Sequence, residues 1–522
     1  MPRLLGLAVL LNVLLLVPLW VRFGAIDTRW VALEAVLVVA LLVLLPAGRL
    51  RWLRPPLTLA VLVALLAGLG DAATHLAFGR PLNLTLDLPL LRSVLHLLEG
   101  NLGGLLAWVT VALAVALVGL GGWGLNRGMR LVHGVSPGAL GRGLAGLALA
   151  ASLALLAAQW HHQRWLPVAR APAMDTLRFQ AEQLVATQRA RRDFAARLDA
   201  TSGQTTPLPG LAGRDLLLVF VESYGASALF DDPFAEVVGP RLVEATQRLA
   251  GAGLTVASGV LASPIRGGQS WLAHASVLGG LAIDNSLWYR LMLDSDRSTL
   301  VDDLRATGHH SLALMPAITL AWPEGEAYGF DAIHAAADID YAGPPLNWVT
   351  MPDQFTLNYL ERRLRRPAEA PLFAQVALIS SHAPWTPILP LLDDWKAVGD
   401  GSIFQRWADA GPAPDALWQD LAQVREHYAL AVDYAVGAST RWAEAFVDDD
   451  TLLVLLGDHQ PAPLIVGEGA GYGVPVHVIS GDAALVEPFL SRGFVPGMHP
   501  GTRVPLAGLE ALRGWLHEDF GP

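Results

Sequence analysis

Several short stretches of this chain end in side chains suited to metal binding or acid–base chemistry. In LLLVFVESYG six apolar residues, 216–221, run straight into Glu222. LFAQVALISSHAPW runs into Ser380, Ser381 and His382, and TLLVLLGDHQP runs into Gly457, Asp458 and His459. Carboxylate oxygen and imidazole nitrogen together suit a divalent metal such as zinc or manganese. Each ending is ordinary by itself, since many strands surface on an acid; the conjunction is the informative part. A hydroxyl comes from SPIRGGQSWLAHASVLGG, 263–280, where Gly267 and Gly268 allow a tight turn and Ser270 opens a helix-like pattern. Free N–H groups at such a helix start attract an anion such as phosphate. The plainer reading of Ser270 is an N-cap serine.

These apolar runs, together with HSLALM (310–315) and PVHVIS (475–480), are nearly continuous. That is the pattern of strands buried on both faces of a mostly parallel sheet. Helical patterns lie between them at 240–250, 299–307, 353–365 and 416–446. The expected class is therefore α/β with helices on both faces of the sheet, and ligands collect at the carboxyl ends of such strands.

The rest of the chain reads as membrane. Of 522 residues 53% are hydrophobic and 16% charged, with mean hydropathy +0.41, against roughly 25% charged in soluble proteins. A net charge of −11 argues against a nucleic-acid partner. The absence of cysteine excludes disulfides, thiolate metal sites and cysteine nucleophiles. The apolar excess predicts five spans: Leu4–Trp20, Trp30–Leu45, Pro56–Phe78, Leu102–Leu125 and Leu144–Trp160. Arg3, Arg49, Arg51, Arg54, Arg127, Arg130 and Arg142 lie on one side of these spans and Arg22, Arg29, Arg80 and Arg92 on the other. This bias places the N-terminus in the cytoplasm and, after an odd number of spans, everything beyond Trp160 outside.

Glu34 is a lone acid in the second span, and 88–100 reads as an interfacial helix. From 171 to 200 a connecting helix is expected, with Leu177, Leu184, Val185, Phe194 and Leu198 on one stripe. TSGQTTPLPG, 201–210, reads as a linker. The expected organisation is a five-helix transmembrane domain over 1–165, a connecting helix and linker over 166–210, and a separate domain over 211–522.

The ordered set VESYG, GGQSW, SSHAPW, GDHQP resembles the alkaline-phosphatase and sulfatase superfamily. Within it, the likeness is to the membrane-anchored branch of lipoteichoic acid synthase, phosphoglycerol transferases and lipid A phosphoethanolamine transferases. The resemblance covers almost the whole chain and implies five transmembrane helices followed by an alkaline-phosphatase-like extracytoplasmic domain at the bacterial inner membrane. It implies one divalent ion, manganese or zinc, held by Glu222, Ser270, Asp458 and His459, with Ser270 also the nucleophile. The family's usual residue there is threonine. It implies a place for His382 beside the substrate phosphate, and loosely a head-group segment around His309, His310 and Trp322. Formylglycine chemistry is not expected, because Ser270 is followed by Trp271, Leu272, Ala273 and His274 rather than the C/S-x-P-x-R context.

The implied reaction is two-step transfer of a phospho-head-group from a membrane phospholipid to an envelope glycan or lipid acceptor through phospho-Ser270. GDHQP leans toward phosphatidylglycerol as donor. A periplasmic phosphodiesterase using water and a non-catalytic lipid sensor on the same fold remain as alternatives.

Overall fold

The computed structural model describes residues 2–23, 29–132, 138–161, 163, 165–200, 205–320 and 322–522. Thr201–Gln204, the start of the expected linker, lie outside the described residues. The chain forms two compact units, 1–190 and 191–522, whereas the expected boundaries fell at 165 and 210. The division falls inside one continuous helix, Pro172–Ala200.

In the N-terminal unit four helices are long and apolar enough to cross a membrane: Pro2–Phe23, Gly48–Phe78 within the longer helix Ala47–Phe78, Gly104–Val132 and Ala139–Trp160. The second expected span is different. Leu33–Leu44 is only 12 residues, about 18 Å of helix against a hydrocarbon core of about 30 Å. Trp30 and its neighbours are used otherwise: Val31–Ala32 pair in parallel with Ala169–Arg170. At the other end Leu45 and Pro46 are extended, and Ala47 already starts the next helix. Five full-length spans are therefore not what the described residues contain. Leu91–Leu102 is helical, as expected near 88–100, after a short turn of helix at Leu84–Asp87.

The C-terminal unit is built on one eight-stranded sheet. Its strands are β1 (Asp215–Val221), β2 (Thr255–Ala262), β3 (His310–Met315), β4 (Ala332–Ala335), β5 (Leu372–Leu378), β6 (Thr451–Gly457), β7 (Gly473–Ser480) and β8 (Val495–Pro496). They lie in the order β8-β2-β7-β6-β1-β5-β3-β4. β6, β1, β5, β3 and β4 are parallel neighbours, while β7 runs antiparallel to both β6 and β2, and β8 antiparallel to β2. The sheet is mostly parallel, with β7 and β8 reversed.

Alternate residues of β1 explain why its sequence is apolar throughout. Leu217, Val219 and Val221 pack under the helices Phe234–Gly251 and Leu421–Phe446, whereas Leu216, Leu218 and Phe220 pack under Ser270–Gly279 and Ala511–Phe520. Both faces are covered, so the period-two pattern of a half-exposed strand is absent. Burying each such side chain contributes about 1.5–3 kcal/mol. β2 was not expected from sequence because Ser258 and Gly259 interrupt it; Gly259 is needed where the Phe494 ring lies 3.0 Å from where a Cβ would stand.

The expected stripe on the connecting helix divides. Phe194 and Leu198 are buried in the C-terminal unit, Phe194 stacked on Trp288 at 4.8 Å, while Leu177, Leu184 and Val185 are exposed. At about 100° per residue Leu177 and Phe194 lie about 100° apart around the axis, so they belong to different faces.

Candidate metal and nucleophile site

The carboxyl ends of β1, β5 and β6 meet because these strands are adjacent and in register, Val221 opposite Leu378 on one side and Gly457 on the other. The residues that follow each strand therefore converge. Glu222, Asp458 and His459 each present a ligand atom within 4.8 Å of the others, and all three are buried. Two glycines permit this approach: a Cβ on Gly225 would run into Gln460, and one on Gly457 into the Tyr224 carbonyl.

Each group is held by neighbours. The Asp458 Oδ1 accepts the backbone N–H of Ser223 (2.8 Å) and of His459 (2.6 Å). His459 Nδ1 faces the Gln460 carbonyl at 2.8 Å. A carbonyl only accepts, so Nδ1 carries a proton and Nε2 is the nitrogen turned toward the site, the arrangement typical of a ligating histidine. Ser223 sits at φ 55; besides its N–H, its carbonyl is held by the Tyr428 hydroxyl at 3.0 Å. Ser381 Oγ donates to the Glu222 carbonyl at 2.6 Å.

Ser270 is brought in by the turn that precedes the helix covering Leu216, Leu218 and Phe220. Gly267, Gly268 and Gln269 all adopt positive φ, at 78, 130 and 68, and the turn is tied to the other motif by Gly267 N–H donating to the Gln460 carbonyl at 2.8 Å. Ser270 then starts the helix Ser270–Gly279. Its Oγ donates to Glu222 Oε2 at 2.9 Å and lies 3.3 Å from His459 Nε2. The neighbouring hydroxyls are committed elsewhere. Ser263 Oγ donates to the Asp458 carbonyl (2.6 Å) and Ser276 Oγ to the Leu272 carbonyl (2.7 Å), both fully or nearly fully buried.

Three buried ionisable groups carrying two carboxylates are deficient in positive charge. Burial and the adjacent Glu222 push the Asp458 carboxyl up. Burial opposes charge on His459, yet Asp458 and Glu222 outweigh it and raise the imidazole to about 9. Burial opposes charge on Glu222 too, but the His459 imidazole holds its carboxyl below the usual range. The donor set of two carboxylates, one imidazole Nε2 and one hydroxyl fits a single divalent cation, which would supply the missing charge.

His382 lies on the loop after β5. Its Nδ1 faces the Ala383 carbonyl at 2.6 Å, so the proton is there and Nε2 is the reactive nitrogen. Trp348 stacks on the ring, with centroids 3.6 Å apart and 16° between planes. The tryptophan is fixed by a tight turn, Leu346 and Val349 exchanging backbone hydrogen bonds, and by Asn347 Nδ2 donating to the Thr386 carbonyl at 2.7 Å. His309 and His310 are elsewhere. They stand at the amino end of β3, His310 in register with Leu372 and His309 Nε2 against the Arg214 carbonyl at 2.8 Å. Six residues of strand separate Leu372 from Leu378, about 20 Å, so neither histidine reaches the site. Trp322 packs with Tyr328, centroids 6.5 Å apart.

Sequence reasoning missed Ser223, Trp348 and Tyr428, which orient the site, and named Ser381 without its role. Of the first three, only Ser223 gave a local signal, by its place beside Glu222.

No profile of a known protein family matches the chain, and no curated protein matches it by sequence. Several solved structures are similar to it. One is the lipooligosaccharide phosphoethanolamine transferase A (EptA) of Neisseria meningitidis, 13% identical over 98% of this chain and 94% of that one, with a TM-score of 0.47. Another is the phosphoglycerol transferase GacH of Streptococcus pyogenes, 13% identical over 65% of this chain and 81% of that one, TM-score 0.39. A third is the lipoteichoic acid synthase LtaP of Listeria monocytogenes, 14% identical over 61% of this chain and 76% of that one, TM-score 0.36. These are the kinds of protein that the ordered motifs resemble; at such identities and scores the chemistry rests on the site itself.

Proposed function

We propose that this chain is a membrane-anchored phosphotransferase that moves a phospho-head-group from a membrane phospholipid to an envelope glycan or lipid acceptor through a phosphoserine at Ser270. The observation that carries this reading is the position of the Ser270 hydroxyl at the first residue of a helix, 2.9 Å from Glu222 and 3.3 Å from His459 Nε2.

Glu222, Ser270, Asp458 and His459 would hold one divalent ion, manganese or zinc, and such an ion makes a bound hydroxyl more acidic and stabilises charge on phosphoryl oxygens. The protein's own groups do the rest. Glu222 Oε2 orients the Ser270 hydroxyl through the hydrogen bond already present, and the hydroxyl proton passes to water. The Oγ–P bond then forms as the bond from phosphorus to the diacylglycerol oxygen breaks. The first N–H groups of the Ser270–Gly279 helix face the phosphoryl oxygens. His382, protonated at Nε2 and held by Trp348, gives a proton to the leaving oxygen. In the second step His382 Nε2 takes the proton of an acceptor hydroxyl as its oxygen attacks phosphorus, the Ser270 Oγ–P bond breaks, and Ser270 Oγ recovers a proton from water.

The arginine bias and apolar helices support a multi-pass protein of the bacterial inner membrane with this unit outside the cytoplasm. Phosphatidylglycerol is the preferred donor, on the GDHQP resemblance.

The test is mass spectrometry of the peptide containing Gly267 to His274 after incubating the purified full chain with phosphatidylglycerol or phosphatidylethanolamine. A phosphoglycerol or phosphoethanolamine adduct on Ser270, lost together with diacylglycerol release in Ser270→Ala, is the expected result. Diacylglycerol release at the parental rate by Ser270→Ala overturns the assignment. Adduct formation with water as the sole productive acceptor would make the protein a phosphodiesterase.

A further inference from the structure

The first half of the helix Pro172–Ala200 is arranged the wrong way round for water. Gln180, Gln183 and Thr187 face protein, while Glu182, Gln188 and Arg189 stand exposed. Gln180 donates to the Leu82 carbonyl (2.6 Å) and accepts from the Leu84 N–H (3.0 Å), and Asn83 Nδ2 donates to Thr187 Oγ1 (3.3 Å) and to Gln183 Oε1 (3.4 Å). Its apolar side chains face outward: Leu177, Leu184 and Val185 are 70%, 52% and 51% exposed.

At about 100° per residue, Leu177, Ala181, Leu184 and Val185 fall within an arc of about 100°. Gln180, Gln183 and Thr187 lie on one side of that arc, and Arg178, Glu182 and Arg189 border the other, with Arg178 Nε donating to Glu182 Oε1 at 2.8 Å. In water this rotation is unfavourable. Leaving three large aliphatic side chains out forgoes about 1.5–3 kcal/mol each, while the inward hydrogen bonds return about 1 kcal/mol each. The medium outside this face is therefore apolar.

The same residues indicate which medium. The helix begins 12 residues after Trp160, where the last long apolar helix ends, and Trp160, Trp165 and Leu166 in between are exposed. Tryptophans in this position mark a membrane interface. Arg178 donates to the Trp160 carbonyl at 2.7 Å, which places a guanidinium at that level. Arg178 is engaged by Glu182 and Trp160, and Arg189 at the edge of the apolar arc matches a phosphate of a lipid surface.

We propose that residues 174–189 lie in the headgroup layer of the bilayer that the apolar helices cross, with Leu177, Ala181, Leu184 and Val185 against acyl chains and Arg189 against phosphates of an anionic phospholipid surface. This rests on the membrane reading alone and is independent of the chemistry at Ser270.

The chain has no cysteine, so a single label reports cleanly. Leu184→Cys and, on the opposite face, Ala186→Cys are each labelled with an environment-sensitive fluorophore in the full chain, one copy per nanodisc, with lipids spin-labelled near the headgroup. Quenching severalfold stronger at position 184 than at 186 is expected, increasing with the anionic lipid fraction, and the increase should shrink in an added Arg189→Gln variant. Equal quenching with free water access at 184 overturns the proposal. So does shielding at 184 from both water and spin-labelled lipid, which would mean that protein covers the face. Quenching at 184 that ignores the anionic fraction overturns the Arg189 contact.

Discussion

The two units of this chain solve the problem of apolar side chains in opposite ways. In the C-terminal unit Leu218 of β1 and Leu456 of β6 are sealed between sheet and helices. In the N-terminal unit Leu113, Leu117 and Leu120 stand exposed, while the Arg22–Asp71 ion pair, at 2.6 Å, is partly buried between helices. The difference teaches that burial must be judged against the solvent each region meets. A leucine facing lipid is already in an apolar medium, and the energetic weight shifts to the polar groups that the lipid cannot satisfy.

The sharpest way to break that comparison is topological, because its outcome is all or none. Single cysteines at Gly138 and Glu369, both exposed, are probed with an impermeant thiol reagent in spheroplasts. Labelling at Glu369 without labelling at Gly138 is expected. The short helix Leu33–Leu44 makes this a real test: if it does not cross, the parity changes and the two positions exchange sides, Gly138 labelled and Glu369 protected.

Next in size is the metal site. Asp458→Ala and His459→Ala should each lower bound manganese or zinc and activity by at least about a hundredfold, with the thermal midpoint of the C-terminal unit nearly kept. Full metal occupancy in the double variant would remove the site from consideration.

The same substitution made in both units weighs the two solvents directly. Leu218→Ala should destabilise the C-terminal unit by roughly 2–5 kcal/mol. Leu117→Ala, on a lipid-facing position, should change stability in bilayers by less than about 0.5 kcal/mol. Comparable losses at both positions would mean that Leu117 is covered by protein.

The smallest effect expected is a pH slope. His477 on β7 is buried between the Tyr224 hydroxyl (3.1 Å) and Ser258 Oγ (2.7 Å), and burial lowers its pKa to about 3. Because the unfolded chain binds this proton below about 6.5 and the folded chain does not, stability falls as pH drops below that value. Between pH 7.5 and 5.5 the share of the loss due to His477 should be about 1.4 kcal/mol, read by denaturant unfolding, and His477→Gln should reduce the slope by that amount, the buried His274 keeping a similar share. A slope unchanged by that variant would assign it to other groups.

How much of this was legible in the sequence depended on range. β1 and β6 announced themselves as unbroken apolar runs, and the acids and histidine at their ends followed from the rule that such sheets gather ligands there. β2 stayed hidden because its Ser258 and Gly259 are explained by partners hundreds of residues away, His477 and Phe494. Trp30–Leu45 looked like a span because composition does not reveal that its first residues are used in pairing with Ala169. The stripe from Leu177 to Leu198 was read as one face because helical spacing tolerates a slow drift that, over 17 residues, becomes a different direction. Trp348 had no signal at all; its meaning is its contact with His382.

One contact bears on how such a protein is made. The Ser223 N–H and the Asp458 carboxylate that receives it are 235 residues apart in the chain. During synthesis the first motif leaves the ribosome long before its partner exists, and closing so long a loop is among the slow events of folding. The Glu222, Asp458 and His459 cluster therefore cannot assemble until the last strands are being added. A nascent chain already threaded into the bilayer carries Glu222 and Ser270 without their partners until its final segment is in place.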